Sequence, residues 1–548
     1  MKIQFKDKII EFEGKAKISE IFKDEIENNK YTVVAATFNN EYVNLEYEIE
    51  EDGLLELIDI SSKEGMKVYT RTLTYILGKA FEKLYPNKKL IVDYQLSNSM
   101  FYDTQDNEEV SQEMVENLQK EMQKIVEKNL PIEQVVMNKK EAQDFFAIND
   151  TSKGRLQLDL ENNEKIYMYY CENYFNYCYG TLANRTGCIN KFELSKYNDG
   201  FIIRYPSHKN PNHIAKFIKN KKLSWAIDEY EDIHRILNVD RVYKLNEAIQ
   251  EDRIQEVILL AEALHEKKIA NIADNIAKNK NIKMVLIAGP SSSGKTTFAQ
   301  RLGIQLRLNK LKPVTISVDN YFVERADTPR DENGEYDFEC IEAIDLELFN
   351  DHLTKLLNGE EIVMPEFDFL QGTKRFNGKK TRLKEDEILV IEGIHCLNDR
   401  LTSKIPAEQK YKVYISALTV LNLDRFNRIS TTDTRLIRRI VRDNQFRGYD
   451  AKHTISTWDK VNEGEEKNIF PFQEGANFIF NTSLIYELCA LKPVVMPLLE
   501  EITNKDAEYA EAQRLINMLK YFKEIPNDYV PKNSLLKEFL GGGAFDVN

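Results

Sequence analysis

Residues 284–303 read MVLIAGPSSSGKTTFAQRLG, and this stretch decides the fold of the C-terminal half. It contains G-x-x-x-x-G-K-T as Gly289, Gly294, Lys295 and Thr296. An apolar run, Met284 to Ala288, precedes it and suits a buried strand. An amphipathic segment, Thr296 to Leu308, follows it and suits a helix. A loop so placed turns successive backbone N–H groups toward phosphate oxygens at a helix N-terminus. The cradle covers Gly289, Pro290, Ser291, Ser292, Ser293, Gly294, Lys295, Thr296 and Thr297. Lys295 is expected on the β- and γ-phosphates and Thr296 on Mg²⁺. An accidental Gly/Ser-rich turn would lack the flanking strand and helix.

Outward from the loop, the texture stays that of a parallel α/β sheet. The run VTISVDNYF ends its apolar stretch in Asp319. Ligands in open α/β sheets sit at the carboxyl ends of strands, so Asp319 should face the phosphates and accept a hydroxyl proton. A turn cap is the plainer role for such an Asp. A second strand, ILVIEG, ends in Glu392, the acidic strand end that holds Mg²⁺ in many phosphate sites. Further on, Arg435, Arg438, Arg439 and Arg442 fall at i, i+3, i+4 and i+7, one face of one helix. With Arg425, Arg428 and Arg447 they make seven arginines between 421 and 450, and no lysine. Guanidinium groups match phosphate bidentately; a solvated helix face is the alternative.

The segment from 281 to 498 resembles the uridine kinase family of P-loop kinases. The matching motifs are GPSSSGKTT, VDNYF, YDFECIEAID, MPEFDFLQGTKR, IEGIH and DTRLIRRIVRDNQFRG, in that order. The resemblance implies ATP (or GTP) as phosphoryl donor with Mg²⁺ on Thr296 and Glu392. It implies Asp319 as catalytic base, Lys295 on the phosphates, and Arg435, Arg439 and Arg442 closing over donor and acceptor. Asp337 is implied at sugar hydroxyls, and Tyr321, Phe367 and Arg435 join Asp319 around the acceptor. The nucleoside loop departs from the family's Pro-x-Tyr-Asp-Phe-x-x-His-x-Arg. Phe367 stands at the Tyr position and Gly372 at the His position. Losing both polar groups puts pyrimidine selectivity in question, because buried polar readout is what rejects analogues.

The chain begins differently. Residues 1–62 alternate like a small sheet: a hairpin in MKIQFKDKIIEF, a helix from Ser19 to Asn29, and strands in TVVAATF, VNLEYEI and LLELIDI. This resembles the β-grasp TGS domain. Residues 63–225 hold a helix from Val68 to Lys83, a charged helix from Asn107 to Lys128 and a Tyr-rich stretch from Tyr167 to Tyr179. They resemble the second additional domain of threonyl-tRNA synthetase, through TRTLTYILGKAFEKLYP, SNSMFYD, KNLPIEQVV and YCYGTLANRTGCINKFELSK. In the synthetase a His-x-x-x-His, a Cys and a further His make a metal-dependent editing centre. Here Arg71, Tyr75 and Leu182 replace the histidines and only Cys178 remains. All seven histidines lie at or after His208. One thiolate is not a zinc site, so the resemblance implies a retained fold with lost hydrolysis.

Residues 226–280 read as a helical connector, with Ile254, Val257, Ile258 and Ala261 at helical spacing. Residues 281–500 form the kinase-like part and 501–548 a helical tail, with a helix from Asp506 to Lys523. The fold class is thus multidomain α/β and α+β.

Composition bounds the rest. At ~150 residues per domain, 548 residues suit about three or four domains. With 42% hydrophobic and 30% charged residues the chain is globular, which excludes disordered and fibrous classes. Apolar runs stop far short of the ~18–20 residues of a membrane span. The charged N-terminus does not suit a signal peptide, and six cysteines form no disulfide framework, so a cytoplasmic protein with reduced thiols is expected. A net charge of −14 argues against sequence-blind nucleic-acid binding, although a local basic patch stays open. A nucleotide-switched RNA-binding protein is the rival class. Its Asn-Lys-x-Asp motif is missing, since NKDA at Asn504 has its acid one position early. The expected partner is a nucleoside or another small hydroxylated molecule such as a sugar phosphate, and a homo-oligomer is compatible with all of this.

Overall fold

The apolar run at 284–288 is buried at every position, so it can only be an interior strand with neighbours on both sides. In the computed structural model it is the centre of a five-stranded sheet. The strands lie in the order Lys312–Ser317, Glu387–Glu392, Met284–Ala288, Lys410–Ser416, Phe478–Asn481. All the pairings are parallel, as expected for near-continuous hydrophobic strands. The described residues are those outside 97, 105–108, 150–159, 161–164, 218–221, 224–225, 227–235, 332–333, 369–370, 420 and 546–548.

Helices cover the sheet on both faces. Lys295–Leu308 packs beside Ile254–Lys278, sharing a core with Val285, Ile287, Val390 and Val413. The stripe Ile254, Val257, Ile258 and Ala261 is buried as its spacing predicts. The expected continuous helix over 226–280 is interrupted: Val242–Gln250 ends and Asp252 takes a left-handed φ of 57° before the next helix starts. Residues 227–235 of that expectation lie outside the described residues, as do Phe369 and Leu370 of the nucleoside loop.

In the N-terminal part, the strands Lys2–Phe5, Lys8–Glu11, Val33–Phe38, Glu41–Val43 and Gly53–Asp59 form one sheet, with Gly53–Asp59 between the first and third of them. The expected helix from 19 to 29 is two short pieces, Ile18–Ile21 and Lys23–Glu27, broken at the buried Phe22. VNLEYEI is mostly a turn, with only its edges in strands. The next helix runs Lys63–Leu84. It starts five residues before the apolar pattern does, because the Ser62 side chain accepts the Gly65 N–H and caps it. Ser111 caps Gln112–Glu127 in the same way, and Asn107 is outside the described residues. These two helices pack on a four-stranded antiparallel sheet. The Tyr-rich stretch is a hairpin, Ile166–Cys171 with Tyr174–Tyr177.

The segment after 500 is integral to the core. Helix Tyr509–Leu519 is shorter at both ends than the pattern suggests. Leu535, Leu536 and Phe539 are fully buried.

Candidate functional site: a phosphate cradle under an arginine helix

The loop between Ala288 and Lys295 is shaped by two features. Ser292 has a φ of 58° and Gly294 one of 88°, alternations that turn backbone N–H groups inward. At Gly289 a side chain is excluded, since a Cβ would lie 2.2 Å from the Ile415 carbonyl oxygen and 2.7 Å from Ser293 Oγ. Lys295 Nζ lies back across the loop and donates to the carbonyls of Gly289 and Pro290 at 3.0 and 3.2 Å. The hydroxyls of Ser292, Ser293 and Thr297 are buried with no hydrogen-bond partner among the described residues. Buried polar groups without partners are rare in proteins unless a ligand satisfies them. The cradle therefore fits a polyphosphate, and Thr296, partly exposed on the first helical turn, stands at its mouth.

Asp319 follows the 312–317 strand in a single 3₁₀ turn, Val318–Tyr321. Glu392 ends its own strand, level with Ile287 on one side and Ser317 on the other. Burial raises both carboxyls above their ordinary values, and the nearby Lys295 ammonium pulls both down. The two acids and the lysine thus share one partly dehydrated pocket at the strand ends.

The arginines divide by their partners. All of Arg435, Arg438, Arg439 and Arg442 are on helix Thr431–Arg442, and its face meets the loop. Arg435 Nε donates to Ser291 O at 3.0 Å, Arg438 Nη1 to Ser292 O at 3.4 Å, and Arg439 Nη1 to Ser291 Oγ at 2.9 Å. Arg435 and Arg438 are buried and individually matched, to Glu465 and Glu487. Arg439, Arg442 and Arg447 instead share one carboxylate, the buried Asp443. Three guanidiniums on one acid leave positive charge over for phosphate, so the spare charge belongs to Arg439, Arg442 and Arg447 rather than to Arg435.

Several residues here were invisible to local pattern. Glu465 accepts the Ser291 N–H at 2.7 Å while it binds Arg435. Glu538, from the end of the chain, accepts the Thr297 N–H at 2.9 Å. Burial pushes the Glu339 carboxyl up to about 7, and the Glu465 charge adds to this. Glu465 and Glu538 lie outside the matching motifs, and Glu339 lies inside YDFECIEAID without a spacing that marks it as an acid of the site.

The acceptor side departs from expectation at Tyr321. Its ring is fully buried, its hydroxyl is bonded to His352 Nδ1 at 3.0 Å, and it packs edge-on to Phe349. It props the turn that carries Asp319 and does not face the cleft. Asp337 caps its own turn, with Oδ1 accepting the N–H groups of Glu339 and Cys340. Phe367 is buried against Phe322, ring centroids 5.6 Å apart. Gly372 has a φ of 68°, and a Cβ there would lie 2.6 Å from Arg325 Nε. A guanidinium therefore fills the space next to the position where the resemblance implies a histidine.

The positions where the resemblance implies editing ligands, Arg71, Tyr75, Cys178 and Leu182, meet on one large cavity. The Tyr75 hydroxyl donates to the carbonyls of Tyr169 and Tyr174, and burial raises both its pKa and that of the Cys178 thiol. Among the described residues there is no group of three or more His, Cys, Asp or Glu side chains placed to hold a metal, and no helix is long and apolar enough to cross a membrane.

Comparison with known proteins agrees with this division. Residues 284–485 match the model of the Phosphoribulokinase / Uridine kinase family. The N-terminal region matches threonine–tRNA ligases. That of Clostridium tetani is 33% identical over 239 residues, covering 42% of this chain and 37% of that protein. Threonine–tRNA ligase 1 of Bacillus subtilis is 31% identical over 162 residues, covering 29% and 25%. The chain thus spans well under half the length of these curated relatives. A solved structure described as a possible uridine kinase from Bacillus stearothermophilus is 19% identical with a TM-score of 0.25, covering 39% of this chain and all of that one. A cradle that fits polyphosphate, an arginine helix closing on it and the family match together support a P-loop kinase region similar to the Phosphoribulokinase / Uridine kinase family, joined to an N-terminal region similar to threonine–tRNA ligases.

Proposed function

We propose that the protein is an ATP-dependent nucleoside kinase that transfers the γ-phosphoryl group to a nucleoside 5′-hydroxyl. The observation that carries this reading is Asp319, a buried carboxylate of raised pKa at a strand end beside Lys295. In the ionised form such a carboxylate takes the proton of an acceptor hydroxyl as its oxygen bonds to the γ-phosphorus. The bond from that phosphorus to the bridging oxygen breaks, and the leaving ADP keeps the electron pair. Lys295 and the loop N–H groups hold the polyphosphate. Arg439 and Arg442 spread the charge that develops, and the helix they ride on excludes water. Mg²⁺, when bound, neutralises phosphate charge, and Thr296 and Glu392 are the residues to hold it. Arg435 would join them by exchanging Glu465 for a phosphate oxygen.

One observation favours a different acceptor. Phe367 offers no polar atom, and Arg325 lies where a base-reading histidine is implied. A guanidinium suits an anionic acceptor, such as a sugar phosphate, better than an uncharged pyrimidine. A phosphoryl-transfer screen separates the two, with ADP release read against nucleosides and phosphorylated sugars. Turnover of nucleosides supports the first reading. Turnover of phosphorylated sugars alone transfers the same chemistry to the second. Mg²⁺-dependent release with neither class overturns both.

A further inference from the structure

The cavity that Arg71, Tyr75, Cys178 and Leu182 line has a volume of about 1160 Å³ and reaches the first turn of the arginine helix, where Thr431 and Thr432 line it. No residue of the phosphate loop lines it, so it is separate from the cradle. Its charges are unevenly matched. Asp433 and Glu511 are held by Arg514, Asp459 by Lys63, and Glu466 by Lys209. Arg71 and Arg428 have no carboxylate within ion-pair distance among the described residues, and Glu64, Glu474 and Glu508, which also line the cavity, have no cation at that distance among them. Arg71 Nε donates only to the Lys67 carbonyl, at 3.1 Å. Its guanidinium lies against Gly180, where a Cβ would come within 1.5 Å of Nη1, so the space was left for it. Arg428 Nε is buried and makes no hydrogen bond among the described residues.

Against these carboxylates the cavity sets two guanidiniums without an ion-pair partner and a helix N-terminus, three features that attract an anion. The buried Arg428 Nε without a partner is costly, and a bound anion removes that cost. Tyr179 lines the cavity with both arginines, and its hydroxyl donates to the Arg428 carbonyl at 2.7 Å. With Tyr42 and Tyr205 it gives the cavity aromatic walls suited to a flat ring. The volume exceeds what inorganic phosphate needs and is on the scale of sites for whole metabolites.

We propose that this cavity is a second ligand site, which takes an organic phosphate of nucleotide size through Arg71 and Arg428. Arg435 couples it to the kinase, because its side chain lines the cavity while its Nε holds Ser291 of the phosphate loop. Arg435 is thus the route by which the two sites are coupled, and the coupling acts by the same factor in both directions.

The test uses the full-length protein saturated with MgADP, which fills the donor site, and titrates adenosine 5′-monophosphate, adenosine and inorganic phosphate by calorimetry. The monophosphate is expected to bind, and adenosine to bind at least tenfold more weakly. Arg71→Ala and Arg428→Met should each weaken the monophosphate by roughly tenfold or more while MgADP affinity measured alone stays as in the parent. If Arg428→Met melts early, Arg71→Ala decides by itself. No monophosphate uptake overturns the proposal, as does adenosine binding equally well. Uptake that survives both substitutions also overturns it, because it places the ligand in the kinase acceptor site instead.

Discussion

The carboxylate of Glu538 accepts the backbone N–H of Thr297 at 2.9 Å, so the last helical turn of the chain supplies an anion to the N-terminus of the phosphate-loop helix. Those N–H groups are the ones a nucleotide phosphate needs. Leu535 packs against Gly294 from the same segment, holding the acid in place. Glu538→Gln keeps the shape and removes the competing charge. It is expected to tighten MgADP binding by roughly two- to fivefold, consistent with the ~0.3–1 kcal/mol of a charge at a helix end. Calorimetric titration measures it, and an unchanged affinity would make Glu538 a helix cap only.

Asp319→Asn should leave nucleotide binding nearly intact and lower turnover by ~10²–10⁴-fold, the range for lost general-base help. Lys295→Ala should instead weaken the hold on the polyphosphate. Steady-state kinetics with the best acceptor, paired with nucleotide titration, distinguishes the two. Near-normal turnover in the Asn variant would exclude Asp319 as the base.

Acceptor choice should be loose or redirected. With Phe367 apolar and Arg325 beside Gly372, uridine should not be preferred over a purine nucleoside by ~10⁴ in kcat/KM, a ratio that needs buried polar readout. Gly372→His has no room while Arg325 stays in place, and its φ of 68° is strained for a side chain. That variant should lose acceptor affinity rather than gain pyrimidine selectivity. Competition kinetics between the two nucleosides gives the ratio directly.

The N-terminal region should bind no stoichiometric zinc and hydrolyse no aminoacyl ester. Arg71 is a permanent cation, Tyr75 is bonded to two carbonyls, Leu182 has no donor atom, and burial keeps Cys178 protonated. Metal analysis of the purified protein is decisive. About one zinc per chain that survives chelator dialysis and disappears on Cys178→Ser would overturn this.

Glu339 makes stability fall as pH rises. Its carboxyl is pushed up to about 7 from 4.5, so the folded chain binds more protons than the unfolded one between those values. The contribution is present in full below about pH 4.5 and is lost as pH climbs through 7, at up to ~1.4 kcal/mol per pH unit. Glu339→Gln should flatten that part of the profile and be the more stable protein at pH 8. Thermal melts of both proteins from pH 5 to 8 test it. A parallel pair of profiles would show that Glu339 is ionised throughout.

What could be read from sequence was what lies close together along it. The strand, loop and helix around Lys295 are contiguous, and each of Asp319 and Glu392 ends its own apolar run, so period and position sufficed. The arginine face was visible for the same reason, but not its division. Arg435 finds Glu465 thirty residues on, and Arg438 finds Glu487 across a further strand; no local spacing encodes either pairing. Tyr321 is adjacent to the right residues and still points into the core, because its hydroxyl has His352 to bond. The cavity was the least legible feature. Its walls come from segments near 71, 178, 428 and 514, which only the folded chain brings together.

The hydrophobic core that holds the arginine helix also contains Ile166, Met168 and Tyr177 from the synthetase-like hairpin, Val257 and Ile258 from the long helix, and Leu536 and Phe539 from the chain end. The synthetase-like hairpin, the long helix and the chain end thus share one core with the arginine helix. The N-terminal sheet and the helices Lys63–Leu84 and Gln112–Glu127 keep cores of their own, so a protease cut in the 251–253 break should loosen the parts that share this core before the N-terminal sheet. A substitution at Met168 is therefore felt in the core beneath the helix that carries Arg439.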